Sequence, residues 1–123
     1  MQPDLNPGKL QKKMNKQKVY NRRNEVLKII RPSSRLGSYS NCIRINPNNS
    51  LTHERRKLEV CYELIKSGAE IFTEVEFYGG ICDILSIDRN GDALIYEIVV
   101  SESKESIENK KLKYPFDIVE IRC

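Results

Sequence analysis

The chain has 123 residues, 39% of them apolar and 31% charged, with a formal charge of +4. That length supports one domain with a hydrophobic core of its own, and the composition suits a soluble globular protein. No apolar run approaches the roughly 18 residues of a membrane span, and the polar, lysine-rich start lacks the apolar segment of a secretory signal.

The basic residues are unevenly placed. Residues 1–35 hold ten Lys or Arg against Asp4 and Glu25, whereas residues 36–123 carry eleven basic and fifteen acidic groups. A basic arm (1–50, with a helix and a loop) joined to an acidic domain (51–123) suggests a polyanionic partner for the arm. In the arm, Val19, Tyr20, Val26, Leu27 and Ile30 recur at near-helical spacing, which predicts a helix from about Lys16 to Ile30 with Arg22 and Arg23 on its other faces. Pro32 ends that helix, and "RPSSRLGSYSN" and "NPNNS" read as loops around a short strand at "CIRI".

A second helix is predicted over about Thr52 to Ser67, capped by Ser50 or Thr52, with Leu58, Cys61, Leu64 and Ile65 as its apolar stripe and Gly68 as its stop. "EIFTEVEFY" alternates as a strand, placing Ile71, Thr73, Val75 and Phe77 on one face and Phe72, Glu74, Glu76 and Tyr78 on the other. Strands at about Ile81–Asp88 and Ala93–Val100, a polar helix at about Ser103–Lys113 and a short strand in "FDIVEI" complete an αβββαβ order. Cys42, Cys61, Cys82 and Cys123 include no C-x-x-C pair, and His53 is the one histidine, so structural zinc is disfavoured. A reducing compartment, hence the cytoplasm, is the simpler expectation.

Asp83 and Glu97 each interrupt an apolar strand run, and a buried carboxylate needs compensation. Whether the two meet depends on the turn "DRNGD". A two-residue loop at Asn90-Gly91 would set Asp83 opposite Ile98 and the acids on opposite faces. A type I turn with Gly91 left-handed in a bulge pairs Asp88 with Asp92 and sets Asp83 opposite Glu97, their Cβ atoms about 5 Å apart. Two such carboxylates repel unless a proton or cation intervenes, and a hard divalent ion, Mg²⁺ or Mn²⁺, is the natural occupant. The competing reading leaves both acids at a wet sheet margin.

An acid at the start of one strand, a hairpin, and Glu-x-Lys in the next is the signature of the PD-(D/E)XK nuclease superfamily. "HERRKLEVCYELIKSGAEIFTEVEF", "CDILSID", "YEIVVSES" and "NKKLKYPFDI" resemble its motif strands and flanking helices over Leu51–Ile121. The resemblance implies a three-layer α/β/α core around a central mixed four-stranded sheet, restriction-endonuclease-like. It further implies an Mg²⁺- or Mn²⁺-dependent nuclease acting on DNA in repair or recombination, dimeric as many relatives are. By position, Asp83 and Glu97 match the metal-binding acids, the Ile98 carbonyl a further ligand, and Glu74 an additional acid, with Glu54 or Glu59 as options on the helix. The departure is Val99, which stands where the motif has Lys. Either a lysine reaches in from another element (Lys57, Lys104, Lys110 and Lys111 are the candidates), or the site is degenerate and the fold serves binding. For nucleic acid, the expected contacts are Arg22, Arg23, His53, Lys104, Lys110 and Lys111, although His53 also reads as an exposed or capping residue.

Overall fold

The computed structural model describes the backbone of residues 7–30, 40–77, 80–100 and 104–123, and the side chains of these residues except 7–15 and 104–105. Among the described residues, three helices and four strands follow in the order α1 (Pro7–Ile29), α2 (Leu51–Lys66), β1 (Glu70–Phe77), β2 (Gly80–Ile87), β3 (Ala93–Val99), α3 (Lys104–Lys113) and β4 (Ile118–Arg122). The strands form one mixed α/β sheet in the order β1-β2-β3-β4. The first three are antiparallel neighbours joined by short connections, and β4 lies parallel to β3 after the α3 crossover, as a parallel pair requires.

The hairpin turn takes the three-residue form. Gly91 has φ +82° and donates its N–H to the Asp88 carbonyl at 3.0 Å, while the Asp88 N–H bonds the Asp92 carbonyl at 2.9 Å. The Asp88 carboxylate also accepts from the N–H groups of Asn90 (2.8 Å) and Asp92 (3.0 Å), an Asx arrangement that favours this turn. The resulting register, Ile87↔Ala93 through Ile84↔Tyr96, places Asp83 at the level of Glu97.

Apolar clusters lie on both faces of the sheet. One joins Val26 of α1 and Ile30 just after it to Phe72, Val75, Phe77, Cys82, Leu85, Ile87 and Ile95, with Tyr114 beyond α3. The other joins Val60 and Cys61 of α2 to Ile71, Ile84 and Ile98. The end of α1 thus supplies part of the core. Residues 42–45 are not a strand, contrary to expectation. They dock on the β1 edge through the Thr73 hydroxyl, which accepts from the Arg44 N–H at 2.8 Å and donates to the Cys42 carbonyl at 3.3 Å. That covers an edge that would otherwise offer its backbone to other chains.

Two strand faces differ from simple alternation, for a single reason. Glu74 has φ +54°, a left-handed conformation rare for a residue with a Cβ, and it inverts the phase of β1. Ile71 thus packs with α2, whereas Val75 and Phe77 join Phe72 on the opposite face. In β2 the phase breaks at Asp83, between Cys82 in one cluster and Ile84 in the other. The ladder pairs Thr73 with Ile84 and Val75 with Cys82, which brings the two irregular residues, Glu74 and Asp83, to the same level.

Candidate functional site

A polar cavity of about 520 Å³ opens where the sheet is irregular. Glu74, Asp83, Glu97 and Ile98 line it from the strands, Lys110 from α3, and His53 with the Asn46–Ser50 loop from the α2 side. The two acids of the hairpin thus share one cavity, though they reach for different helices. Asp83 Oδ2 accepts the Ile98 N–H at 2.8 Å and lies 3.3 Å from His53 Nε2. The Glu97 side chain is almost wholly buried and its Oε2 is 3.9 Å from Lys110 Nζ. Among the described residues, both Asp83 contacts fall on Oδ2.

His53 is buried, and the expectation of an exposed residue does not hold. Its backbone N–H is held by the Ser50 hydroxyl, the N-cap of α2, at 3.1 Å. Its Nδ1 meets Glu54 Oε1 at 2.9 Å, and Glu54 Oε2 meets Lys57 Nζ at 2.6 Å. Lys57 Nζ goes on to Glu74 Oε1 at 2.9 Å and donates to the Arg44 carbonyl at 2.7 Å. A continuous polar chain, Glu74–Lys57–Glu54–His53–Asp83, therefore runs from beneath the α2 helix into the cavity. Burial pushes the Glu54 carboxyl up, but hydrogen bonds from Lys57, Asn49, the Asn46 N–H and His53 outweigh it and hold the group at about 2. Burial likewise pulls the Lys57 amine down, and its two carboxylate partners more than reverse that, leaving it raised.

The network explains an unexpected α2. The predicted stripe of Leu58, Cys61, Leu64 and Ile65 is only half inward: Cys61 is buried and Leu64 packs on the core, but Leu58 and Ile65 are exposed. The helix is rotated so that His53, Glu54 and Lys57 take the inner face with Val60 and Cys61. Polar groups win these positions because each finds a partner there, which removes most of the desolvation cost.

The lysine candidates separate cleanly. Lys57 has no exposed surface, is enclosed by its partners and does not line the cavity. Lys111 points elsewhere, bonded to Glu108 and Glu120 at 3.4 Å each. Lys104 lies outside the described side chains. Lys110 alone of the candidates with a described side chain reaches the cavity. Val99 is itself buried, and its carbonyl accepts the Cys123 N–H at 3.1 Å.

The arginines of α1 sit at the far end of the sheet. Arg22 pairs with Asp92 at 3.2 Å beside the hairpin turn, and Arg23 grips Glu70 through two bonds of 2.6 and 3.0 Å, with the Ser40 hydroxyl on the same carboxylate. Their distance from the cavity follows from the register, since Glu70 pairs with Ile87, four residues beyond Asp83. Glu59 is exposed and pairs with Arg56 at 3.6 Å, away from the site.

Sequence reasoning missed the Asn46–Ser50 rim. Three asparagines immediately before a helix N-cap were its only signal. Two of them are structural: the Asn46 side chain accepts the Asn48 N–H at 3.0 Å, and Asn49 donates to Glu54 at 2.8 Å.

The carboxylates of Glu74, Asp83 and Glu97 bring oxygen donors of the kind that suits Mg²⁺ or Mn²⁺, beside the His53 imidazole. No group of three or more His, Cys, Asp or Glu side chains converges on one point among the described residues, so a cation here would rest on two carboxylates, a carbonyl and water. Comparison with protein-family models, curated proteins and solved structures finds no match to this chain.

Proposed function

We propose that the chain is a metal-dependent nuclease-type protein that hydrolyses phosphodiester bonds in DNA, on a restriction-endonuclease-like α/β/α core. The observation that carries this reading is the lysine. Val99 leaves the motif position without an amine, and Lys110 brings one from α3 to within 3.9 Å of Glu97 inside the cavity shared with Asp83. Asp83, Glu97 and the Ile98 carbonyl would hold the cation, with Asp83 Oδ1 turned to the ligand while Oδ2 is occupied by Ile98 and His53. A bound divalent ion supplies charge neutralisation at the phosphate and a lowered pKa for water. Lys110 orients the attacking water and faces the charge that builds on the phosphate. His53, fixed by Glu54, holds the Asp83 carboxylate in place. The Asn46–Ser50 rim offers amide and hydroxyl groups to the substrate.

A second reading is favoured by Val99, a buried valine where the motif has Lys: a nuclease-fold module that binds nucleic acid or a partner nuclease without cutting. One assay separates the two. Labelled duplex, single-stranded and branched DNA is incubated with Mg²⁺ or Mn²⁺ and wild type, Asp83→Ala, Glu97→Ala or Lys110→Ala. Cleavage by wild type that falls at least about 100-fold in all three variants is expected of the enzyme. No cleavage on any substrate, with salt-sensitive binding retained, would overturn it in favour of the module.

A further inference from the structure

The outward face of α2 carries four large apolar side chains in one line. Leu51 is 70% exposed, Leu58 51%, Tyr62 60% and Ile65 38%. At 3.6 residues per turn they lie within a strip about 60° wide. Two of the four, Leu58 and Ile65, belong to the predicted stripe and were turned outward by the buried polar chain. Scattered exposed leucines need no explanation, but a continuous line on one helix leaves apolar area that a partner would cover.

The line is symmetric about Leu58, with Leu51 seven residues before it and Ile65 seven residues after. Two copies of α2 laid antiparallel across a two-fold axis at Leu58 would set Leu58 against Leu58 and each Leu51 against the Ile65 of the second copy. The seven-residue spacing is that of a helix–helix seam. The flanking charges agree with that orientation. Arg55 would fall at the level of residue 61 of the second copy, about 3 Å along the axis from Glu59 and closer still to the Tyr62 ring. A parallel arrangement would instead oppose Arg55 to Arg55 and Glu59 to Glu59.

We propose that the outer face of α2 binds a second copy of this chain in an antiparallel, two-fold α2–α2 contact centred on Leu58. The inference is independent of the nuclease reading. Four side chains offer on the order of 400 Å² per copy, about half of a standard interface. The association is therefore weak and reversible, with a dissociation constant in the micromolar range.

The test is sedimentation of the full chain from about 1 to 500 µM, where that range spans the expected constant. Wild type should pass from monomer to dimer, and Leu58→Glu should move the midpoint at least about tenfold upward. Leu58 is half-exposed, so unchanged circular dichroism and melting are expected for that variant. Register is read by cross-linking in a Cys42→Ser/Cys123→Ser background, which removes the exposed thiols. Leu58→Cys should form a disulfide with itself, and Leu51→Cys should link to Ile65→Cys only when the two variants are mixed. A chain monomeric throughout, a dimer indifferent to Leu58→Glu, or Leu51→Cys linking to itself would each overturn the proposal.

Discussion

Replacing Lys57 with methionine removes one amine and leaves two carboxylates facing a carbonyl. The amine has no exposed surface and bonds Glu54 at 2.6 Å, Glu74 at 2.9 Å and the Arg44 carbonyl at 2.7 Å. Methionine fills nearly the same volume, so cavity cost is small and the loss is electrostatic. Stripping one partner from a buried ion pair costs roughly 3–5 kcal/mol. The Glu54 carboxyl gives an independent scale, because holding it near 2 rather than 4.5 is worth on the order of 3 kcal/mol at neutral pH, shared among its donors. Against a total stability of about 5–15 kcal/mol the variant stays marginally folded.

The pH dependence identifies the cause. Glu54 is depressed in the folded chain, so its stabilisation is complete above the ordinary carboxylate range and is lost as pH falls towards 2. Lys57 is raised, so its share is present at neutral pH and is lost only as pH climbs through its elevated value. Urea unfolding of wild type should therefore show a plateau from about pH 5 to 9 and a steep fall below pH 5. In Lys57→Met the neutral-pH stability should drop by about 3 kcal/mol or more, and the deficit should shrink as pH falls and the Glu54 carboxyl, no longer held down by the amine, takes up its proton. Adding Glu54→Gln should recover part of it. A variant within about 1 kcal/mol of wild type at pH 7, or a deficit unchanged between pH 7 and pH 4, would refute the charge-centre argument.

Three further outcomes are expected. Gly91→Ala should destabilise by about 1–3 kcal/mol in urea, because a Cβ there adopts φ +82° and would meet the Val19 carbonyl of α1 at 2.9 Å. Arg23→Gln should cost only about 1 kcal/mol, the pair being part-exposed, and the cost should fade in acid as Glu70, held down chiefly by its hydrogen bond from Arg23, takes up its proton. With a thiol reagent on the native chain, Cys42 and Cys123 should react quickly and Cys61 and Cys82 only on unfolding, since burial pushes Cys61 up to about 11 and Cys82 well above its usual range.

The parts of this fold legible in the sequence are those written in local chemistry. Asn90-Gly91 following Asp88 marked a tight turn with two registers open, and the Asx bonds of Asp88 with Gly91 left-handed select the one that brings Asp83 level with Glu97. The αβββαβ order was likewise set by apolar periods broken at Gly68, Gly79-Gly80 and Pro115. What was hidden depends on partners far away in sequence. Nothing near Glu74 announces φ +54°; glutamate holds that conformation because Lys57, 17 residues earlier, fixes its carboxylate. The same distant partnership turned α2 so that Glu54 and Lys57 went inward and Leu58 outward, defeating a stripe that any periodicity rule would bury.

These two departures are one structural event. A buried lysine needs acids on both sides, so one strand must bend to supply Glu74 and one helix must rotate to supply Glu54. The bend interrupts the ladder at the level of Asp83, and the side chain of Asp83 then takes the Ile98 N–H in place of a backbone carbonyl. The interruption leaves the polar cavity with Glu97 on its floor and Lys110 at its wall. On this view the Lys57 centre and the candidate site stand or fall together. Lys57→Met should loosen Asp83 as well as the core, and the proposed cleavage should decline with it in any Lys57→Met molecules that remain folded. Lys110→Ala, which removes a part-exposed amine 3.9 Å from the buried Glu97 carboxylate, should cost clearly less stability than Lys57→Met while removing the proposed cleavage. Equal stability losses in the two variants would separate the cavity from its supposed support and undo this account.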